Sequence, residues 1–288
     1  MMRQHTIAKP ASLSGFGVHS GKPVTLTVHP ADPDAGVRFV RLDAGRAVIP
    51  AHALSVATTM LGTNMTNSDG VSVATVEHFL AACAGLGVDN VTAELDAPEL
   101  PILDGSSKPF VDLLEAAGLA EQAAPRRILK MLKPVEVRDG PKFARLSPGP
   151  EGHKGFEIRV AIDFASKAIG KQSIRFAMAP GAFAKEVAWA RTFGFAKDAE
   201  AMYSMGKGLG ASMDNTIVVE GDSILNPGGL KTPDEFVRHK LLDVVGDLFL
   251  AGGPIEGLYE GEQPGHALNN RLLRAVFADA SAFAWTTN

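Results

Sequence analysis

The chain holds a single cysteine, Cys83, among its 288 residues. That excludes an intramolecular disulfide framework and fits a reducing compartment. Cys83 lies in a helical run of small residues and reads as a buried thiol used as a small hydrophobe. Long apolar runs are also missing: no stretch approaches the roughly 18 consecutive apolar residues of a membrane span. The first ten residues, MMRQHTIAKP, lack the apolar core of a secretory signal. Charge of one sign is scarce too, and a net charge of −4 gives no electrostatic case for nucleic acid as a partner. What is present, 45% hydrophobic and 21% charged residues, is the composition of an ordinary soluble globular protein. The length suits two domains of about 140 residues each, and a peripheral contact with membrane stays open.

The segment Ala120–Arg127 is small, polar and proline-containing, so it reads as a linker between domains at 1–122 and 127–288. The two sides read as diverged copies. Alternating extended segments open each half, at 24–28 and 37–42 and again at 135–138 and 156–162. A long amphipathic helix follows in each, near 74–86 and 233–251. A further strand (90–95 and 255–259) and a closing helix (near 108–118 and 268–279) complete each unit. This pattern predicts an α+β fold of two similar domains packed as layers. The sequence Thr232-Pro-Asp-Glu235 matches a capping box with proline at the first helical position, and Gly252-Gly253-Pro254 stops that helix.

The chemistry concentrates on the two long helices. On the second, His239, Lys240, Asp243 and Asp247 fall within about one quadrant at 100° per residue, opposite apolar positions. A buried stripe of imidazole, ammonium and two carboxylates is costly unless a cation or substrate satisfies it; the competing reading is a surface salt-bridge stripe. On the first helix, Glu77 and His78 project off the apolar stripe, which alone suits a solvated flank. Taken together, His78, His239 and Asp243 offer three ligands and an open fourth position, the catalytic arrangement for zinc or another borderline transition metal. Glu77, beside a ligand, is placed to accept a proton from water. His266 enters the last helix, where a carboxylate such as Asp247 would keep it protonated. Arg191-Thr-Phe-Gly-Phe195 reads as an ordinary turn or a sugar-binding floor. Gly15–Gly21 has neither Walker nor Rossmann spacing and reads as a tight turn. The Gly- and Met-rich stretch 203–213 suits either an irregular apolar channel or a mobile loop.

With these residues assembled, the chain resembles the zinc-dependent UDP-3-O-acyl-N-acetylglucosamine deacetylase family of lipid A biosynthesis. The carrying segments are Gly15–Val24, Thr58–Thr63, Thr75–Leu80, Leu103–Ser106, Ala190–Phe195, Asp234–Asp243, Gly246–Phe249 and Gly265–Asn270. The resemblance implies sheets outside, helices inside and the active site between the domains. It implies a cytoplasmic hydrolase of Gram-negative lipopolysaccharide synthesis, monomeric, without a transmembrane segment, and able to lie peripheral to the inner membrane. Its substrate would be an acylated UDP-sugar and its cofactor Zn²⁺, with Fe²⁺ fitting the same ligands. By position, His78, His239 and Asp243 resemble the metal ligands, Glu77 the base, His266 the cationic acid and Asp247 its support. Thr192 resembles the oxyanion-stabilising hydroxyl, Phe193, Lys240 and His19 the substrate contacts, and the element around 195–219 the acyl-chain enclosure. The family often carries cysteine where Gly62 stands and bulkier residues at Lys207 and Asn215.

Overall fold

The computed structural model describes residues 2–287. Two sheets share one topology. In the first half the strand order is Ala11–Phe16, Pro23–Pro30, Val91–Leu95, Val37–Arg41 and Ala47–Pro50. In the second half Val135–Asp139, Lys142–Ser147, Ile255–Glu262, Phe156–Asp163 and Lys171–Ala177 follow the same path. Along this shared path each half has one parallel pair, 37–41 with 91–95 and 156–163 with 255–262. A parallel pair needs a crossover, and a helix supplies it in both halves. The crossover helices are α1 (Glu77–Leu86) and the fourth of five further helices among the described residues. Those are α2 (Lys108–Ala117), α3 (Ala182–Glu186), α4 (Ala199–Ser204), α5 (Glu235–Phe249) and α6 (His266–Ala278).

Alternation along the strands gives each sheet one apolar face. Leu26, Val28, Phe39, Ile49, Ala93 and Leu95 are buried in the first half, and Ala144, Leu146, Ile158, Val160 and Tyr259 in the second. These faces cover the helices, so the layers run sheet, helices, sheet. Phe79 on α1 meets Phe39 of the sheet and Phe110 of α2 in edge-to-face contacts. Helices α1 and α5 pack along one another at the centre. Being sandwiched, neither has a solvated face: α5 buries twelve of its fifteen residues. The polar stripe of α5 is thus interior, and the surface salt-bridge reading of it fails.

Two expectations need correction, and the segment placed at the domain boundary is more regular than its composition suggests: it holds a strand, Leu119–Pro125, antiparallel to Arg3–Ile7. The chain changes sheet at Arg126, because Arg127–Met131 joins the second sheet beside Ile255–Glu262 and Phe283–Thr287. Its small polar residues alternate exposed and half-buried, as an edge pairing tolerates. The capping box does not form: no side chain caps α5, and Glu235 turns inward to Arg191 instead. The carboxylate takes the charge-assisted bonds of the Arg191 guanidinium together with the Lys231 N–H, away from the helix start. The closing helix α6 begins at His266 rather than 268, placing that imidazole in the first turn.

Candidate active site

The site exists because α1 and α5 approach closely. At Gly246 a Cβ would sit 2.0 Å from the Glu77 carbonyl oxygen, so only glycine lets the first turn of α1 rest on the middle of α5. That contact sets Glu77 and His78 against His239, Asp243 and Asp247. The α1 backbone is pinned from its other side, where Ser107 Oγ donates to the His78 carbonyl at 2.7 Å.

One ligand atom from each of His78, His239 and Asp243 lies within 4.8 Å of the others, all three residues being buried. His239 Nε2 is 3.4 Å and His78 Nε2 3.9 Å from the same oxygen, Asp243 Oδ1. His239 Nδ1–H donates to the Ala190 carbonyl at 3.0 Å, which leaves Nε2 with its lone pair facing inward. Burial, reinforced by the neighbouring His239, depresses the His78 pKa to about 3, and burial lowers His239 as well. Both imidazoles are therefore neutral and able to ligate. The carboxyl of Asp243 stays ionised despite burial, because the Lys240 ammonium, aided by the cationic His266, holds it below the usual range. His78 Nδ1 is buried with no partner. Two imidazoles and a carboxylate, buried with unspent lone pairs, fit a divalent transition metal.

Beside this set lies an acid–base group. His266 Nδ1–H donates to Asp247 Oδ2 at 2.8 Å, and its Nε2 stands 3.8 Å from Glu77 Oε1. Burial alone would lower the His266 pKa, but the Asp247 and Glu77 carboxylates outweigh it and push it up to about 10. Burial raises Glu77 to about 7, with His266 opposing and Asp247 and Asp243 assisting. One group is cationic and the other poised near neutrality, the split that acid–base work requires.

The segment after α3 finishes the wall. Phe193 packs edge-on against His239 and Phe236, and Lys240 Nζ lies 5.9 Å from the Phe193 ring centroid while bonding Asp243 Oδ2 at 2.6 Å. Thr192 adjoins Phe193, its backbone held between Gly105 and Ile217. Phe193–Phe195 is a strand parallel to Ile217–Glu220 rather than a plain turn. His19 Nε2–H donates to the Leu61 carbonyl at 2.7 Å, leaving Nδ1 a buried acceptor without a partner. The Gly- and Met-rich stretch begins in α4 and crosses back to the 17–21 turn, where Leu209 and Gly210 N–H donate to the His19 and Val18 carbonyls. It leaves Tyr203, Met205, Leu209 and Met213 exposed.

Sequence reasoning missed several buried polar residues that hold this arrangement. Glu235 accepts two hydrogen bonds from the Arg191 guanidinium, at 2.8 and 3.0 Å, and one from the Lys231 N–H. Glu99 accepts from the His19 and Ser20 N–H groups and from Thr75 Oγ1, fixing the turn that carries His19. Asn269 Nδ2 donates to Asp247 Oδ2 and its Oδ1 accepts from Tyr259, both residues being fully buried. Thr63 donates to both Asp247 and Glu77. The one available signal was polarity inside the apolar periods of α5 and α6, which marks Asn269 but none of the loop residues.

A layered α+β pair of repeats that brings together two imidazoles, a carboxylate and the Glu77–His266 pair has the make-up of a metal-dependent hydrolase. The family profile for UDP-3-O-acyl N-acetylglycosamine deacetylase matches residues 4–278. Named UDP-3-O-acyl-N-acetylglucosamine deacetylases resemble the chain throughout. One from Phenylobacterium zucineum (strain HLK1) is 49% identical over 284 residues, 98% of this chain and 96% of that protein. One from Shewanella sp. (strain W3-18-1) is 46% identical over 286 residues, covering 98% and 92%. The chain belongs to the UDP-3-O-acyl N-acetylglycosamine deacetylase family, a family of metalloenzymes. Among the described residues no helix is long and apolar enough to cross a membrane.

Proposed function

We infer that the chain removes the N-acetyl group from UDP-3-O-(3-hydroxyacyl)-N-acetylglucosamine, giving UDP-3-O-(3-hydroxyacyl)-glucosamine and acetate, the committed step of lipid A biosynthesis. The observation that carries this reading is the meeting of the His78, His239 and Asp243 donors with Glu77 and the His266–Asp247 pair. Family membership supplies the substrate class. His78, His239 and Asp243 hold the metal, which we assign as Zn²⁺ with Fe²⁺ the alternative; when bound it supplies Lewis acidity toward an amide carbonyl and acidifies water.

The protein's own groups do the proton work. Glu77 takes a proton from water as the water oxygen bonds to the acetyl carbon. The protonated His266 and the Thr192 hydroxyl donate hydrogen bonds to the oxygen that gains charge. The C–N bond then breaks, and the sugar nitrogen leaves as an amine with a proton returned by Glu77 or His266. Asp247 positions His266. Phe193 offers an apolar floor to the sugar, and Lys240 and His19 offer a cation and an acceptor to the rest of the substrate. The exposed Tyr203, Met205, Leu209 and Met213 suit the acyl chain. The protein works as a monomer in the cytoplasm, peripheral to the inner membrane, with its domains divided between residues 122 and 127. The lone cysteine fits that compartment.

Metal analysis coupled to acetate release tests the reading. Chelation should abolish turnover, and zinc added back should restore it. Intact turnover after the metal is removed would overturn the reading. Omitting the UDP or the 3-O-acyl group from the substrate, each in turn, distinguishes this enzyme from a hydrolase of other acylated sugars.

A further inference from the structure

Thr63 lies outside both catalytic helices, 2% exposed, in the turn between the short strands Val56–Thr58 and Asn64–Thr66. It touches both halves of the acid–base machinery. Its backbone N–H donates to Glu77 Oε2 at 3.0 Å, and its hydroxyl donates to Asp247 Oδ1 at 2.6 Å. Its carbonyl accepts from the Val76 N–H at the start of α1. The residue before it is Gly62 at φ +145, where a Cβ would lie 3.1 Å from Glu77 Oε1. A bare glycine in that conformation turns the Thr63 N–H inward and leaves Oε1 uncrowded.

The hydrogen bonds around Asp247 give the hydroxyl its meaning. An ionised carboxylate accepts at two oxygens with about four lone-pair sites. Oδ2 receives His266 Nδ1 and Asn269 Nδ2, each at 2.8 Å, and among the described residues Oδ1 receives only Thr63. Without that donor Oδ1 is a buried acceptor left unsatisfied, which favours rotation of the carboxylate. Rotation carries Oδ2 away from His266, whose ring direction depends on it. A partner that orients an imidazole contributes through geometry, without touching the reacting atoms.

We propose that Thr63 is a positioning residue of the deacetylation. Its hydroxyl locks Asp247 so that His266 keeps its aim, while its N–H holds Glu77 in register with it. The proposal rests on the deacetylase reading for its kinetic arm but not for its spectroscopic one. Thr63→Val keeps the shape and the N–H but deletes the hydroxyl. Thr63→Ala does so without a new methyl contact, and Thr63→Ser restores the donor. In the metal-loaded enzyme, kcat should fall about 10–100-fold in the Val and Ala variants, with KM within about twofold of wild type and metal content unchanged. The downfield proton resonance of His266 Nδ1–H, assigned by its loss in His266→Gln, should move in both variants without substrate present. Thr63→Ser should recover both readouts. Wild-type kcat in a hydroxyl-less variant, an unmoved resonance, or failure of Thr63→Ser to rescue would each overturn the proposal. If wild type releases no acetate while the resonance still responds, the deacetylase reading fails and the positioning role stands.

Discussion

Replacing Gly246 by alanine is the sharpest test of how the site is assembled. The added Cβ would sit 2.0 Å from the Glu77 carbonyl oxygen, 2.8 Å from its carbon and 3.0 Å from its Cα. All three are backbone atoms of α1, so no rotamer change relieves the clash. Real Cβ contacts rarely fall below 3.0 Å, so the two helices must separate by about 1 Å. Overpacking of this kind costs about 1–3 kcal/mol, which for a chain of this size lowers Tm by about 2–4 °C per kcal/mol. The displacement bears directly on Glu77 and His78, and a misplacement of about 1 Å costs on the order of 10²-fold in rate. Gly246→Ala should therefore fold with a Tm lower by about 2–12 °C and lose turnover far beyond what that instability explains. Thermal unfolding and acetate-release kinetics at a temperature where the variant is fully folded separate the two effects. Unchanged turnover, or a Tm within a degree of wild type, would refute the close-approach argument.

Other perturbations probe the groups themselves. Alanine at Glu77 or at His266 should cut turnover by about 10²–10⁴-fold with metal retained; unchanged turnover in both would remove these roles. The folded pKa of His266 is raised to about 10, so its cationic form is present at neutral pH and lost as pH rises through that value. The kcat/KM profile should fall on that alkaline side, and Asp247→Asn, which deletes the main carboxylate raising this pKa, should move the fall to lower pH. Glu235→Ala leaves the half-buried Arg191 cation unpaired, a loss of about 3–5 kcal/mol, and should lower Tm by about 6–20 °C as read by thermal unfolding.

Much of the site was legible because its parts are local. His239 and Asp243 are neighbours by helical geometry alone, whatever surrounds them, and the family segments fixed Glu77, His78 and His266 by position. Two local signals misled. The Thr232–Glu235 spacing suggested a cap, but Arg191, forty-four residues away, takes the Glu235 carboxylate instead. The polar stretch 120–127 suggested a linker, yet it finds an edge in Arg3–Ile7. Both depend on a distant partner that no window of sequence contains. Glu99 was invisible for a related reason, and Thr63 fell inside a family segment without a role: their polarity is ordinary for loops, and only burial makes it costly and therefore informative.

The sequence by itself determined the two-fold repetition, the apolar stripes of α1 and α5, and which side chains could ligate a metal or move a proton. These follow from periodicity and residue chemistry along single elements. Only the tertiary structure decided that the polar sides of α1 and α5 meet between two sheets, that His78 reaches the same carboxylate oxygen as His239, and that Thr63 bonds both Glu77 and, 184 residues further along the chain, Asp247. Convergence at that range depends on how closely two helices pack, and that closeness is set by a missing Cβ at Gly246.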